Sequence, residues 1–271
     1  MPSWLLAMDV DGTILTDDYA VPAQVREQIQ RARSQGIFTA LATARAPRSV
    51  FHILEDVGGV DAAICFGGAL TLKQERGVWR ADDAEDDRTV APELLHALVL
   101  RSRSAGVSLA AYGAENVYVD RLNDILAHQF GKTGLTCVEG DLLAVGEPIL
   151  KLLAIADTQT LPVLEELRGA FGQTLSCLYS HANFLEVTHR SVSKGNAVES
   201  LRLSLGIARE NVVTIGDSEN DLSMFAVAGM PIAMGNAADS VKRSAKWVTE
   251  TNGRAGVAVA LRHCAQTLWR I

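Results

Sequence analysis

The sequence predicts an α/β fold in which a parallel sheet, covered by helices on both faces, is interrupted by a separate α+β segment. Short apolar runs alternate with single helical segments before residue 66 and again after Ser193. This alternation is typical of β-α-β units whose strands are buried on both faces. Between these two regions the alternation is absent. The sequence there indicates a hairpin followed by a mixed series of strands and helices.

The first region contains three predicted strands and two predicted helices. The strands are the apolar runs at residues 5–8, 37–43 and 61–66. The first helix begins near Pro22, since proline is favoured in a first helical turn, and ends at Gly36. The second helix is predicted over residues 47–58. This part of the chain therefore has the order of a Rossmann-like parallel sheet.

The regular alternation ends near residue 70. Residues 69–82 indicate a hairpin, and the acidic stretch "ADDAEDDR" at 81–88 is typical of a solvated surface or linker segment. The series that follows consists of a helix at 91–104, strands at 107–112 and 116–120, a helix at 121–130, a strand at 149–156, a helix at 160–171, and strands within 174–188. We therefore predict an α+β domain at 83–188, inserted into a core domain formed by residues 1–82 and 189–271.

The last region returns to the first pattern. Its predicted elements are a helix from Lys194 to Gly206, a strand at 211–216, a helix at 220–229, a short strand at 231–235 and a closing helix at 256–270. The strand at 211–216 is apolar throughout and ends directly before an aspartate. It has the character of a central strand in the same parallel sheet.

Composition narrows the range of functions. The 271 residues are 48% hydrophobic and 21% charged, with a net charge of −7, which argues against nucleic acid as the main partner but not against a small anionic substrate. The four cysteines are scattered without metal-ligand spacing, which favours a reducing compartment. The sequence lacks a basic segment before its first apolar run and lacks a long apolar stretch. We expect a soluble, cytoplasmic protein with no membrane partner.

The run "LLAMDVDGT", residues 5–13, carries two carboxylates out of the first strand and into a glycine turn. An Asp-Gly pair alone can be a turn signal, which accounts for Asp11 and Gly12. It leaves Asp9 unexplained, because the Asp9 side chain would point to the same side as that of Asp11 if strand geometry continued. Like charges held that close repel unless a cation or a reaction intermediate lies between them. This acidic pair therefore marks a candidate site.

More polar residues follow predicted strands, at the sheet edge where ligands bind in open parallel sheets. They occur in the segments "LATAR", "SVSKGNA" and "TIGDSENDLSM" and comprise Thr43, Arg45, Lys194, Asp217, Asn220 and Asp221. Each has an ordinary alternative. Thr43 or Asn220 could cap a helix, Lys194 could be a solvated surface lysine, and Asp217 could form an Asx turn. Their coincidence at the edge that carries the acidic pair favours a common site.

In this order, "DVDGT", "TAR", "SKG" and "GDSENDLSM" resemble the four motifs of the haloacid dehalogenase-like hydrolase superfamily. The long insertion between the second and third motifs is similar to that of Cof-type members, subclass IIB, which carry a C2-type cap. The resemblance covers essentially the whole chain, and its first and fourth motifs are the most specific. It implies Mg²⁺-dependent hydrolysis of a small phosphate ester through an aspartyl-phosphate, with residues 83–188 forming the cap over the active site.

The resemblance implies a role for each motif residue. Asp9 would be the nucleophile, and Asp11 would protonate the leaving oxygen and then deprotonate the attacking water. Mg²⁺ would be held by Asp9, Asp217 and Asp221, together with the backbone carbonyl of Asp11. The transferring phosphoryl group would be bound by Thr43, Lys194, Gly12, Arg45 and Asn220.

The sequence departs from the family pattern at two positions. Ala44 stands where related sequences usually carry glycine, and Gly67 stands where asparagine is common. Loss of the asparagine side chain would remove a substrate hydrogen bond. The predicted catalytic residues themselves are all present.

Two further functions remain open from the sequence. One is a binding or regulatory protein that keeps the fold without turnover, which the intact set of motif residues disfavours. The other is a phosphotransferase or phosphomutase, although the helical cap of such mutases is inserted between the first and second motifs. Sugar phosphates are the common substrates of the family, and pyridoxal phosphate and flavin-type phosphates are alternatives that the sequence does not separate.

Overall fold

The computed structural model describes residues 2–82 and 88–269. The predicted acidic stretch and the predicted domain boundary at residue 83 fall largely on 83–87, outside the described residues. Within the described ranges, no helix has both the length and the apolar composition that crossing a membrane requires.

The elements occur in three successive groups along the chain. The first group consists of β1 (Leu5–Asp9), α1 (Ala23–Ser34), β2 (Phe38–Ala42), α2 (Phe51–Asp56), β3 (Ala62–Cys65), β4 (Leu70–Glu75) and β5 (Val78–Ala81). The second consists of α3 (Pro92–Ser104), β6 (Ser108–Tyr112), β7 (Val117–Val119), α4 (Asp124–Thr133), β8 (Val138–Glu139), β9 (Lys151–Ile155), α5 (Leu161–Phe171), β10 (Leu175–His181) and β11 (Phe184–His189). The third consists of α6 (Lys194–Ser204), β12 (Val212–Gly216), α7 (Leu222–Val227), β13 (Met230–Ala233), α8 (Asp239–Lys242), β14 (Trp247–Val248) and α9 (Gly256–Cys264).

Three predicted helices are shorter than expected. The helix predicted over residues 47–58 is an isolated 3-10 turn, Pro47–Ser49, followed by α2. The helix predicted over 220–229 is divided in the same way, into the 3-10 turn Glu219–Asp221 and α7. The closing helix ends at Cys264 and continues as a π-type turn. Strands β8 and β14 and helix α8 were not predicted, because two to four residues are too few to show a period.

The chain divides into two compact units. The first contains Met1–Ala46, Val50–Ala84 and Ser193–Ile271, and the second contains Pro47–Ser49 and Glu85–Val192. The first unit is therefore discontinuous in sequence, and it holds all the predicted site residues.

In the first unit, eight strands of the described residues form a sheet in the order β14-β13-β12-β1-β2-β3-β4-β5. All neighbours from β14 to β3 are parallel, whereas β4 and β5 are antiparallel. This confirms the predicted α/β fold with a parallel core. Residues Leu5 to Met8 are completely buried, as expected for a central strand covered on both faces.

The order of this sheet decides where the polar residues lie. Strand β1 pairs with β2 on one side and with β12 on the other, with Asp9 opposite Ala42 and Met8 opposite Ile215. Because the three strands are parallel, their carboxyl ends meet at one edge of the sheet. The segments that follow β1, β2 and β12 are therefore neighbours.

The second unit is α+β. Its sheet has the order β10-β11-β9-β6-β7-β8, and its neighbours are antiparallel except for the pair β7 and β8. An apolar core of its own includes side chains from α3, α5 and four of these strands, among them Leu98, Leu109, Leu152, Leu164, Leu175 and Val187.

Candidate active site

The centre of the candidate site is Asp9, the last residue of β1. The strand is apolar up to this point, and it carries the carboxylate into a position that is only 4% exposed. The ammonium group of Lys194 donates hydrogen bonds to Asp9 Oδ1 at 2.5 Å and to Asp221 Oδ1 at 2.7 Å. Lys194 is itself 2% exposed, so the alternative of a solvated surface lysine is wrong.

For both Asp9 and Lys194, burial and the opposite charge of the ion-pair partner shift the pKa in opposite directions. The pKa of Asp9 is raised to about 7: burial is the largest cause, the negative charges of Asp221 and Asp217 add to the rise, and Lys194 opposes it. Burial alone would lower the pKa of Lys194, but Asp9 and Asp221 outweigh it, and the net pKa is raised. The lysine is therefore held as a cation by its carboxylate partners.

The turn after β12 positions two further carboxylates. Asp221 Oδ2 accepts hydrogen bonds from the backbone N–H groups of Asp217 and Ser218, both at 3.0 Å. Ser218 and Asp221 form a reciprocal capping box at the start of the 3-10 turn. A Cβ atom at Gly216 would lie 2.5 Å from the Asp221 carboxyl carbon, so glycine is needed for this close approach. The turn is therefore fixed by hydrogen bonds and by packing.

Asp9, Asp217 and Asp221 form what we call the acidic cluster. Each offers a carboxylate oxygen, and these oxygens lie within 4.8 Å of one another. No donor group of the described residues reaches Asp9 Oδ2, although this atom is buried. Burial raises the pKa of Asp217, and the charge of Asp221 raises it further. Three carboxylates face one ammonium group, so the cluster fits a divalent cation that prefers oxygen ligands.

The acidic pair of the sequence, Asp9 and Asp11, does not share one environment: Asp9 contacts Lys194, whereas Asp11 contacts Arg45. The chain leaves strand geometry after Asp9 and turns at Gly12, whose φ is +76°. The Asp11 side chain is 49% exposed and accepts two hydrogen bonds from Arg45, at 2.9 Å from Nε and 2.5 Å from Nη2. The hydrogen bonds that Arg45 donates to Asp11 raise the pKa of Arg45. The Asp11 carboxylate is therefore held by an arginine, outside the acidic cluster.

Two other predicted residues lie at the same edge with local partners. Thr43 is buried, and its hydroxyl oxygen accepts a hydrogen bond from the Arg45 backbone N–H at 3.1 Å. Asn220 is exposed, and its side-chain oxygen accepts a hydrogen bond from the Ser218 hydroxyl at 2.8 Å. Gly67, a departure from the family pattern, has a φ of +67° and donates its N–H to the Thr43 carbonyl at 2.8 Å. The phosphate-binding roles of Thr43 and Asn220 stay predictions.

The structure adds residues that the sequence did not single out. Asn236 donates a hydrogen bond from its side chain to the Gly12 carbonyl at 2.8 Å. Thr13 donates to Asp217 Oδ1 at 3.3 Å. Asn236 comes shortly after β13, which is parallel to β12. The same rule of strand ends that identified Asp217 could therefore have found it.

Comparison with known proteins gives the family. A family model described as haloacid dehalogenase-like hydrolase matches residues 6–261. The chain is 32% identical to the 5-amino-6-(5-phospho-D-ribitylamino)uracil phosphatase YwtE of Bacillus subtilis, over 93% of this chain and 95% of the relative. It is 28% identical to the phosphatase YwpJ of the same organism, over 96% of this chain and 99% of the relative.

A solved structure has the same architecture. The crystal structure of a haloacid dehalogenase-like hydrolase from Bacteroides thetaiotaomicron matches with a TM-score of 0.84 and 26% sequence identity, over 96% of this chain and 98% of that chain. The chain therefore belongs to the haloacid dehalogenase-like hydrolases, the superfamily that its four sequence motifs resemble.

Proposed function

We propose that this protein is a Mg²⁺-dependent phosphatase that hydrolyses a small phosphate ester through a phosphorylated Asp9. The observation that carries the proposal is the buried Asp9 Oδ2 atom, which lacks a donor among the described residues and belongs to the acidic cluster. The names of similar proteins support the reaction class, because both the 32% and the 28% identical relatives are phosphatases. Hydrolysis of a phosphoric monoester is thus the reaction that we assign.

Asp9 is the nucleophile of this proposal. One of its oxygens attacks phosphorus, the bond from phosphorus to the ester oxygen breaks, and the phosphoryl group is transferred to Asp9. Water then attacks phosphorus, which releases inorganic phosphate and regenerates the carboxylate. A covalent intermediate divides one difficult displacement into two easier ones. The position of Asp9 at a strand end, held by Lys194, suits such precise attack.

Asp11 is the general acid and base. It donates a proton to the leaving ester oxygen in the first step and accepts a proton from water in the second. Its half-exposed carboxylate can exchange protons with substrate or water, whereas Asp9 is buried. Arg45, which holds both Asp11 oxygens, would orient this carboxylate until the substrate is bound.

Mg²⁺ would be held by Asp9, Asp217 and Asp221, with the backbone carbonyl of Asp11 as a further ligand. When bound, Mg²⁺ supplies positive charge that lets an anionic phosphate approach an anionic nucleophile. Lys194 compensates part of the negative charge of Asp9 and Asp221.

The phosphoryl oxygens would be bound by the residues that the motifs indicated. These are Lys194, Thr43, Arg45, Asn220 and the backbone N–H groups around Gly12. Phosphoryl transfer depends mainly on positioning and on stabilisation of charge, which donors held at fixed positions provide. The left-handed conformation of Gly12 is of the kind that turns backbone N–H groups into an anion-binding concavity.

The substrate class that we propose is a phosphorylated metabolite in the cytoplasm. A sugar phosphate is the first candidate from the family resemblance. The ribitylamino-uracil phosphate hydrolysed by the Bacillus relative is a second, since it also carries its phosphate on a polyol chain. Initial rates on a panel that includes both, together with pyridoxal phosphate and flavin mononucleotide, would rank them.

The central experiment compares Asp9→Asn with the matched control Asp18→Asn, an exposed aspartate in the following loop. Release of phosphate from p-nitrophenyl phosphate should require Mg²⁺, should stop with a chelator, and should fall below a few per cent in Asp9→Asn. Asp18→Asn should retain wild-type turnover. Substantial activity of Asp9→Asn, or turnover that does not respond to Mg²⁺, would contradict the proposal.

A further inference from the structure

Asp217 differs from the other members of the acidic cluster in the groups that hold it. Asp9 and Asp221 share the ammonium group of Lys194. Asp217 is held by neutral donors, the Thr13 hydroxyl at 3.3 Å from Oδ1 and the Asn236 amide at 3.5 Å from Oδ2. In the part of the chain that is described, no lysine or arginine forms an ion pair with Asp217. The charge of Asp217 is therefore compensated only at longer range, by Lys194.

The orientation of the Asn236 amide follows from its other contact. The backbone N–H of Asn252 donates to Asn236 Oδ1 at 3.0 Å, so this oxygen is the acceptor of the amide. The amide nitrogen must then face the site. There it donates to the Gly12 carbonyl at 2.8 Å and reaches Asp217 Oδ2 at 3.5 Å. One amide nitrogen thus contacts both the turn after β1 and a carboxylate of the acidic cluster.

Asn252 fixes this arrangement from the protein interior. It is 6% exposed, and its side-chain nitrogen donates to the Leu15 carbonyl at 3.0 Å and to Asp17 Oδ1 at 3.1 Å. The turn after β1 is therefore tied at both Gly12 and Leu15 to the two asparagines. The space is tight, because a Cβ atom at Gly12 would lie 2.4 Å from Asp217 Oδ2.

We propose that Asn236 is a positioning residue for the divalent cation. It holds the Gly12 turn against Asp217 and orients the Asp217 carboxylate without neutralising it. A lysine or arginine in its place would compete with the cation for the same charge, whereas an amide leaves that charge available. The proposal rests on the metal site of the proposed function and adds a residue outside the four motifs.

The test measures binding of Mn²⁺ alone to the full-length chain, by electron paramagnetic resonance of the free ion, and does not depend on turnover. Removing a partner of a metal ligand typically weakens metal binding about 10- to 100-fold. We expect the Mn²⁺ dissociation constant of Asn236→Ala to rise about 10-fold. The matched control is Asn211→Ala, which loses a side-chain hydrogen bond to the Ser3 carbonyl of 3.0 Å before β12 begins. Its Mn²⁺ affinity should equal that of the wild type.

Kinetics give a second measurement. The Mg²⁺ concentration for half-maximal activity should rise in Asn236→Ala, while kcat at saturating Mg²⁺ changes much less. If Asn236→Ala folds poorly, Asn236→Ser can be used instead, since it keeps a donor on a shorter side chain. Its Mg²⁺ concentration for half-maximal activity should rise in the same direction but by less. Unchanged Mn²⁺ affinity in these variants, while Asp217→Ala abolishes binding, would overturn the role of Asn236 alone. Absence of Mn²⁺ binding by the wild type would overturn the metal site as well.

Discussion

The ammonium group of Lys194 lies between the carboxylates of Asp9 and Asp221, with almost no solvent exposure. Taking such a charge out of water costs several kcal/mol, which close counter-charges offset when the geometry is good. Removing one partner of a buried ion pair destabilises the fold more than replacing the whole pair by apolar side chains, because the remaining charge stays buried without a counter-charge. The lysine is therefore a structural requirement of the acidic cluster as well as a candidate phosphate ligand.

Lys194→Met should lower the free energy of unfolding by about 3–5 kcal/mol at neutral pH, because Asp9 and Asp221 lose their cation. Urea denaturation without metal measures this loss. The control is Lys246→Met, an exposed lysine that donates to the Gly229 carbonyl. Saturating Mg²⁺ should recover part of the stability of Lys194→Met by supplying another cation. A loss as small as that of the control would mean that the ion pairs contribute little.

Asp11→Asn should slow phosphorylation of Asp9 by an amount that depends on how strongly the leaving group of the substrate needs a proton. A sugar alkoxide needs a proton as it leaves, whereas p-nitrophenolate does not, and general acid assistance contributes about 10²–10⁴-fold. Phosphorylation of Asp9 should therefore slow far more with alkyl phosphates than with p-nitrophenyl phosphate. Because the second step loses its base with either ester, the aryl ester should give a nitrophenolate burst followed by a slow rate. Rapid-quench kinetics would detect both, and equal losses without a burst would assign Asp11 another role.

At the scale of elements, the residues of the candidate site follow the ends of parallel strands, and this placement is the part that the sequence predicts well. Apolar runs located β1, β2 and β12, and the rule of parallel strand ends brought together Asp9, Thr43 and Asp217. The burial of Lys194 could not be predicted in this way, because it depends on packing against Asp9, 185 residues earlier in the chain. The Arg45–Asp11 contact and the Asn236 contact likewise depend on side-chain orientation after the strands end.

The turn after β1 gives a test at this scale. Gly12 and Gly77 both have positive φ values, +76° and +85°, but a Cβ atom at Gly77 would meet no atom within 4 Å. Both Gly12→Ala and Gly77→Ala should lose about 1–2 kcal/mol of stability from the left-handed backbone. Gly12→Ala should in addition weaken Mn²⁺ binding, because its Cβ displaces the Asp217 carboxylate. Equal behaviour of the two variants in the binding assay would show that the close approach is unimportant.

In the second unit, the Arg103 side chain, at the end of α3, forms hydrogen bonds with two aspartates. Its Nε donates to Oδ2 of Asp120, the residue after β7, at 2.7 Å, and its Nη2 donates to Oδ1 of Asp141. The hydrogen bond from Arg103 lowers the pKa of Asp120. A lowered folded-state pKa gives stability that is complete above the unfolded value of about 4 and is lost as pH falls through the folded value. The stability advantage of the wild type over Asp120→Asn should therefore shrink below about pH 4. Urea midpoints from pH 7 to 3 would show this, and an advantage independent of pH would contradict it.

At the scale of the whole molecule, each compact unit has an apolar core of its own. Core residues of the first unit include Leu5, Ile64, Leu201 and Phe225, and those of the second include Leu98, Leu152 and Leu164. All members of the acidic cluster belong to the first unit, although its chain is interrupted by residues 85–192. The separate cores are the physical reason to expect that the first unit can fold without the insertion.

Replacing residues 85–192 by a short Gly-Ser linker should therefore leave a protein with a cooperative unfolding transition and intact Mn²⁺ binding. The sheet that carries Asp9, Asp217 and Asp221 keeps all its strands in this variant. The short turn Pro47–Ser49, which clusters with the second unit, stays in the shortened chain and is the segment most exposed to the change. Calorimetry and Mn²⁺ titration, with Asp217→Ala in the shortened chain as the control, would test this expectation. An insoluble or non-cooperative product would show that the core of the first unit needs the insertion, and that the two cores do not fold independently.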